Sequence, residues 1–259
     1  NSMIVKNKTP YVLVISWGGT KGLYACWILK AIEETWFQEQ IGAVYGVSAG
    51  ALTGAYWLSW WKAEDILERF LESNLFSLRN IALPPKDSLL KSSVVAKFLK
   101  SDLKSRFEDL EKPLYVGATD LWSAEFVLYQ SWELWKPVLW SMSIPGVFAA
   151  VEYDGRMLVD GGVLCNFPIA QAREEYPDAE IIGIQLGKFE KNQKVKSLID
   201  NVLLSYQVMS AGHLIPNLDQ VSCLFDKSLE IGILESSESK IREFFEQGYQ
   251  DGLEVFSKM

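Results

Sequence analysis

The chain has 259 residues, 49% of them hydrophobic and 22% charged, with a formal net charge of −8. That is enough apolar material for one large buried core, and it excludes a disordered tail or a fibrous repeat. The acidic balance argues against a nucleic-acid-binding surface, which needs a basic field, and provides no global attraction to anionic lipid.

The apolar run Tyr11–Ile15, after Lys6 and Lys8, is too short for the core of a secretion signal. Three scattered cysteines, Cys26, Cys165 and Cys223, fit neither a disulfide framework nor a zinc site. They read as small hydrophobes in a reducing compartment, so a cytoplasmic setting is expected, with peripheral membrane contact left open.

In chain order, YVLVISW (11–17) is a short, β-branched apolar run suited to a central parallel strand covered on both faces. The turn GGTKG (18–22) follows, then LYACWILKAIEE with apolar residues at helical spacing. The stretch from Ile41 to Trp61 has no charge and is long enough to span a bilayer. However, Gly46 to Gly50 would break a helix in its middle, so it reads as a buried strand (AVYGV, 43–47), a tight turn and a buried helix. The alternation of strand, turn and helix predicts an α/β fold, a three-layer α/β/α arrangement with a mostly parallel central sheet.

Residues 63–110 change character. Two amphipathic helical patterns flank LPPKDS, and from Arg79 to Arg106 there are seven Lys or Arg against two Asp. This basic island in an acidic chain is read as a helical cap or insertion, either an ordinary solvated face or a lipid-facing surface. Strands are then expected in PLYVGATDL (113–121) and EFVLYQ (125–130), and a helix in WKPVLWSMSIPGVF (135–148), closed by Pro145-Gly146. Trp132, Trp135 and Trp140 fall close together here, to pack in the core, line an acyl tunnel or meet a membrane interface. AAVEYDGRMLVDGG reads as a hairpin turning at Asp154-Gly155, AEIIGIQL (179–186) as a buried strand, and two amphipathic helices end the chain. With no repeat, low-complexity tract or linker, residues 1–259 are expected to form one domain.

Three short motifs carry chemistry. Gly46-Val47-Ser48-Ala49-Gly50 places a serine between two glycines at a strand-to-helix junction, the setting of a nucleophile elbow. The turn around Gly18, Gly19, Thr20, Lys21 and Gly22 exposes backbone N–H groups that bind anions. It is no phosphate loop, because Lys21 is followed by Gly22 and no Ser or Thr is in place for a magnesium ion, so the oxyanion-hole reading is favoured. The serine needs a base. His213 is the one histidine, and a Ser48–Asp160–His213 order is that of an α/β-hydrolase, but the elbow follows only the second predicted strand and His213 lies just past a helix, where a capping role is common. Asp160 ends an apolar strand and precedes Gly161 and Gly162, which permit close approach of backbone. A carboxylate in a partly desolvated cleft can take the serine proton directly.

GGTKG, GVSAG and DGG, together with ATDL and SMSIPGVF in the same order, resemble the patatin-like phospholipases, in particular their compact bacterial members, over nearly the whole chain. The resemblance implies Ser48 as nucleophile and Asp160 as base. It implies an oxyanion hole from Gly18, Gly19, Thr20, Gly22 and the Ala49 N–H, with Lys21, Gly46, Gly50, Gly161 and Gly162 in support. It implies no cofactor, no metal and no catalytic histidine. Trp17 departs from the pattern, standing where the family often has another glycine. The expected activity is hydrolysis of lipid acyl esters, of the phospholipase A or lysophospholipase kind. A soluble carboxylesterase or thioesterase, or a non-catalytic lipid-binding protein on the same scaffold, are the alternatives. Head group, acyl preference and oligomeric state are not encoded in these motifs.

Overall fold

A computed structural model describes residues 11–16, 18–59, 61–73, 90–186, 195, 198–212, 215–226 and 237–259. Its strands are β1 (Tyr11–Ile15), β2 (Ile41–Val47), β3 (Leu114–Asp120), β4 (Glu125–Tyr129), β5 (Val151–Tyr153), β6 (Arg156–Asp160), β7 (Glu180–Ile184) and β8 (Cys223–Phe225). Its α-helices are α1 (Gly22–Glu34), α2 (Ala49–Leu58), α3 (Ala63–Ser73), α4 (Ser92–Asp102), α5 (Trp135–Ser141), α6 (Ile169–Glu175), α7 (Leu198–Gly212) and α8 (Glu238–Phe256).

All eight strands join one sheet. Its centre is parallel: β2 and β7 flank β1, β3 continues beyond β2, and β8 continues beyond β7. β4 and β6 run antiparallel to β3, and β5 closes the hairpin with β6. The uniformly apolar sequence of β1 follows from burial on both faces. Leu13 and Ile15 point into a core shared with α1, α2 and α8, while Val12 and Val14 point into a second core with Tyr45, Tyr115 and Ile169 of α6. The sheet is therefore sandwiched between helices, as the alternating pattern implied. In the β5–β6 turn Asp154 and Gly155 both take positive φ, 48° and 70°, the geometry that favours Asp-Gly there.

One edge of β3 decides where two of the candidate site residues meet. β4 runs along β3 from Val116 to Asp120, overlapping β2 at Val116 and Gly117 and β6 at Ala118 to Asp120. A strand has two edges, so β2 and β6 must share the other one, end to end. Val47 pairs with Gly117 and Asp160 with the next residue, Ala118. The last residue of β6 and the residue that follows β2 thus arrive at the same point.

The helix expected over residues 135–148 stops at Ser141. Pro145 disfavours helical backbone at Ile144, and the Ser143 carbonyl instead accepts a hydrogen bond from the Asp160 N–H at 3.0 Å. Strand β8, only three residues long, is an addition to the sequence reading. Within residues 63–110 the described α-helices are α3 and α4. Among the described residues no helix is long and apolar enough to cross a membrane.

Candidate active site

Ser48 stands between β2 and α2 with φ 55° and ψ −120°, a conformation non-glycine residues rarely adopt. Close packing holds it there. A side chain on Gly50 would put Cβ 2.3 Å from the Ile15 carbonyl oxygen and 2.8 Å from that of Ser16, so the first turn of α2 sits directly on the end of β1. The Ser48 N–H donates to Ser141 Oγ at 2.7 Å, and that hydroxyl donates to the Gly117 carbonyl at 2.6 Å. Ser141, at the end of α5, therefore ties the elbow to β3.

Asp160 is fully buried. Its Oδ1 accepts from the Gly162 N–H at 2.9 Å and from the Tyr206 hydroxyl, on α7, at 2.8 Å. Its Oδ2 is buried and receives no full hydrogen bond, but the Ser48 hydroxyl lies near enough to favour the charged carboxylate. Burial nevertheless dominates and pushes the carboxyl from an ordinary 3.8 up to about 6, against the nearby Ser48 hydroxyl and the bonds from Gly162 and Tyr206. Burial, and then the charge of Asp160, raise Tyr206 well above its ordinary value, so it remains a neutral donor. The segment after Asp160 is fastened from both sides. Thr119 Oγ1 donates to the Gly161 carbonyl at 3.2 Å and Ser210 Oγ to the Gly162 carbonyl at 2.8 Å.

Gly19, Thr20 and Lys21 form a 3-10 turn that leads into α1. Gly19 takes φ 56°, and the turn closes with the Lys21 N–H on the Gly18 carbonyl at 3.1 Å. Gly22 lies against Ala49: a Cβ there would come within 2.7 Å of the Ala49 methyl. The glycine turn and the start of α2 therefore touch, and Gly19, Gly22 and Ala49 line one apolar cavity. Gly18 packs on Leu186, Gly46 beneath Ala51, and Lys21 is buried. Ser48, Asp160 and the glycine turn thus gather at the carboxyl ends of β1, β2 and β6. Trp17 and His213 lie outside the described residues.

Sequence reasoning missed Tyr206 and Ser141. Tyr206 is one of ten tyrosines in the chain, and nothing in its neighbours on the helix marks it as facing a carboxylate 46 residues away. Ser141 lay within the family-like segment SMSIPGVF, which pointed to its neighbourhood but not to its contact. The tryptophan group divides: Trp140 is in the core, edge-on to Tyr129 and tilted against Tyr153, while Trp132 is 39% exposed.

Residues 13–173 match the model of the patatin-like phospholipase family, which covers the elbow, the glycine turn and Asp160. The chain belongs to that family. It is 26% identical over 171 residues to the lysophospholipase NTE1 of Cryptococcus neoformans, an alignment of 62% of this chain and 10% of that protein. It is 28% identical over 188 residues to the neuropathy target esterase sws of Drosophila melanogaster, covering 68% of this chain and 13% of that protein. The chain thus spans only about a tenth of the length of these curated relatives. Among solved structures, VipD from Legionella pneumophila superposes over 97% of this chain and 67% of its own, with a TM-score of 0.56 and 13% identity, a likeness of fold.

Proposed function

We propose that the chain is a serine acyl hydrolase of lipid carboxylic esters, of the phospholipase A or lysophospholipase kind, working through a Ser48–Asp160 dyad and an acyl-enzyme. We further propose that residues 1–259 form a single acyl-hydrolase domain with 63–110 as its cap. The observation that carries this reading is the division of labour at Asp160. Oδ1 is held by two donors, Oδ2 is buried without a hydrogen bond, and the Ser48 hydroxyl lies near the carboxyl. The family membership and the lysophospholipase name of a relative support the substrate class.

In the proposed cycle the Ser48 oxygen forms a bond to the ester carbonyl carbon as its proton passes to Asp160 Oδ2. The carbonyl electrons move onto oxygen, where N–H groups of the Gly18–Gly22 turn and of Ala49 receive the charge. When the tetrahedral species collapses, the bond to the leaving alcohol breaks and Asp160 returns the proton to that oxygen. Water then attacks the acyl-Ser48, giving its proton to Asp160. Collapse releases the fatty acid and the proton returns to Ser48.

Peripheral contact with a membrane belongs to the same proposal. Lys100 lies 4.1 Å from the Trp135 ring and Lys136 lies 5.1 Å from that of Trp132. Tryptophan beside lysine suits the boundary between headgroups and acyl chains. The three cysteines are unpaired, which suits a reducing, cytoplasmic setting.

The test is labelling with a fluorophosphonate, mapped by mass spectrometry, on the wild type, Asp160→Asn and His213→Ala. Label on Ser48 that is lost with Asp160→Asn and kept with His213→Ala is expected. Label lost with His213→Ala would move the base role to the histidine. A folded wild type that takes no label would leave a lipid-binding protein in place of an enzyme. Turnover of phospholipid vesicles against soluble esters then separates a phospholipase from a soluble esterase.

A further inference from the structure

The cavity that opens beside Gly19, Gly22 and Ala49 is small, about 40 Å³, and mostly apolar in its lining. It follows one face of α2, since Ala49, Leu52, Thr53 and Tyr56 recur at helical spacing along its wall. The side walls repeat the pattern: Ile66 and Phe70 on α3, Val95 and Leu99 on α4. The slot therefore starts next to Ser48 and runs outward between the core helix and the two helices of the 63–110 segment. From Ala49 to Tyr56 its length is about 10 Å at the helical rise.

The Thr53 hydroxyl is turned onto the Gly22 carbonyl near the start, and the charged groups lie at the far end. Arg69 lines the cavity there and grips Asp102 with two bonds, Nε to Oδ2 at 2.6 Å and Nη2 to Oδ1 at 3.0 Å. The Tyr56 hydroxyl donates to the same carboxylate at 2.8 Å, and the guanidinium lies 4.8 Å from the Phe98 ring. The Asp102 side chain is only 6% exposed and that of Arg69 28% exposed, so the pair at the end of the slot is partly desolvated. An apolar chain pushed beyond Tyr56 would have to displace a partly desolvated ion pair, which is unfavourable.

We propose that Arg69 and Asp102 form the floor of an acyl-chain slot and set the longest acyl group that can be delivered to Ser48. The ligand is an unbranched acyl chain of medium length. This rests on the reading of Ser48 as the nucleophile, and the experiment separates the two.

The probes are n-alkyl fluorophosphonates with ethyl, octyl and hexadecyl chains, and the readout is the rate of labelling at Ser48. The wild type is expected to prefer octyl. Arg69→Ala/Asp102→Asn removes the charges and the long side chain but keeps an acceptor for Tyr56, and should raise the hexadecyl-to-octyl ratio roughly tenfold or more. Leu52→Trp fills the slot near its start and should lower the octyl-to-ethyl ratio by a similar factor. Unchanged ratios in both folded variants would overturn the floor while leaving Ser48 as nucleophile. A wild type labelled by none of the probes would remove the nucleophile reading and the floor with it. If the double variant does not fold, Leu52→Trp decides: an unchanged ratio there overturns the slot.

Discussion

Asp160 is fully buried with a carboxyl pushed up to about 6, so its proposed role as base and its contribution to stability pull on it in opposite directions. In the folded chain it holds its proton more tightly than the ordinary 3.8 of an exposed aspartate. Its contribution to stability is therefore full below about 3.8 and is lost as pH rises through about 6. Above that pH the buried charge costs on the order of 3 kcal/mol. Asp160→Asn should thus raise Tm by several degrees at pH 7.5, with the gain shrinking toward pH 4.5, while kcat falls by roughly 10² to 10⁴. Calorimetry and ester turnover on one preparation check both. A variant less stable than wild type at pH 7.5 would contradict the assigned burial cost. Tyr206→Phe removes one of the two donors to Oδ1, so the charged form loses support. The acid limb of the pH–rate profile should move up by roughly one unit. A fall in rate with the limb in place would make Tyr206 merely a packing residue.

The helices hold the proposed reacting groups through close contacts of backbone with backbone. The first turn of α2 sits on the end of β1, and no side chain fits at Gly50 because its neighbours are the carbonyls of Ile15 and Ser16. Gly50→Ala must push a helix off a central strand. The expected cost is on the order of 3 kcal/mol, seen as a Tm lower by roughly 10 °C, with loss of Ser48 labelling. Retained stability would mean that α2 can slide at little cost. Elements of this kind were legible in sequence where their chemistry is local. The Gly-x-Ser-x-Gly turn and the Asp-Gly hairpin depend on residues adjacent in the chain. The early end of α5 was not legible, because the Ser143 carbonyl is taken by Asp160, which β6 brings from elsewhere.

On the scale of the molecule, an acidic chain presents a locally basic helix. Val95 and Leu99 bury one side of α4, whereas Lys97 and Lys100, with Lys91 just before the helix, are exposed. The same helix walls the apolar slot, so a membrane meeting this face would lie near the path of an acyl chain. Replacing Lys91, Lys97 and Lys100 with Glu should weaken binding to phosphatidylserine vesicles by at least about 10², given about 1 kcal/mol per lysine near an anionic surface. Binding to neutral vesicles should change little. Co-sedimentation at two salt concentrations measures both, and equal binding of the two proteins to anionic vesicles would remove this face as the contact.

The sequence by itself determined the α/β class, the family, and Ser48, Asp160 and the glycine turn as candidates. Each of these is written in short runs whose backbone needs and hydrophobic period are local. Only the tertiary structure decided that β2 and β6 meet end to end on one edge of β3, which brings Ser48 to Asp160. It alone placed Tyr206 and Ser141 behind the pair and Arg69 with Asp102 at the end of the slot. Those contacts join residues 33 to 93 positions apart, and their partners are chosen by strand pairing and helix packing.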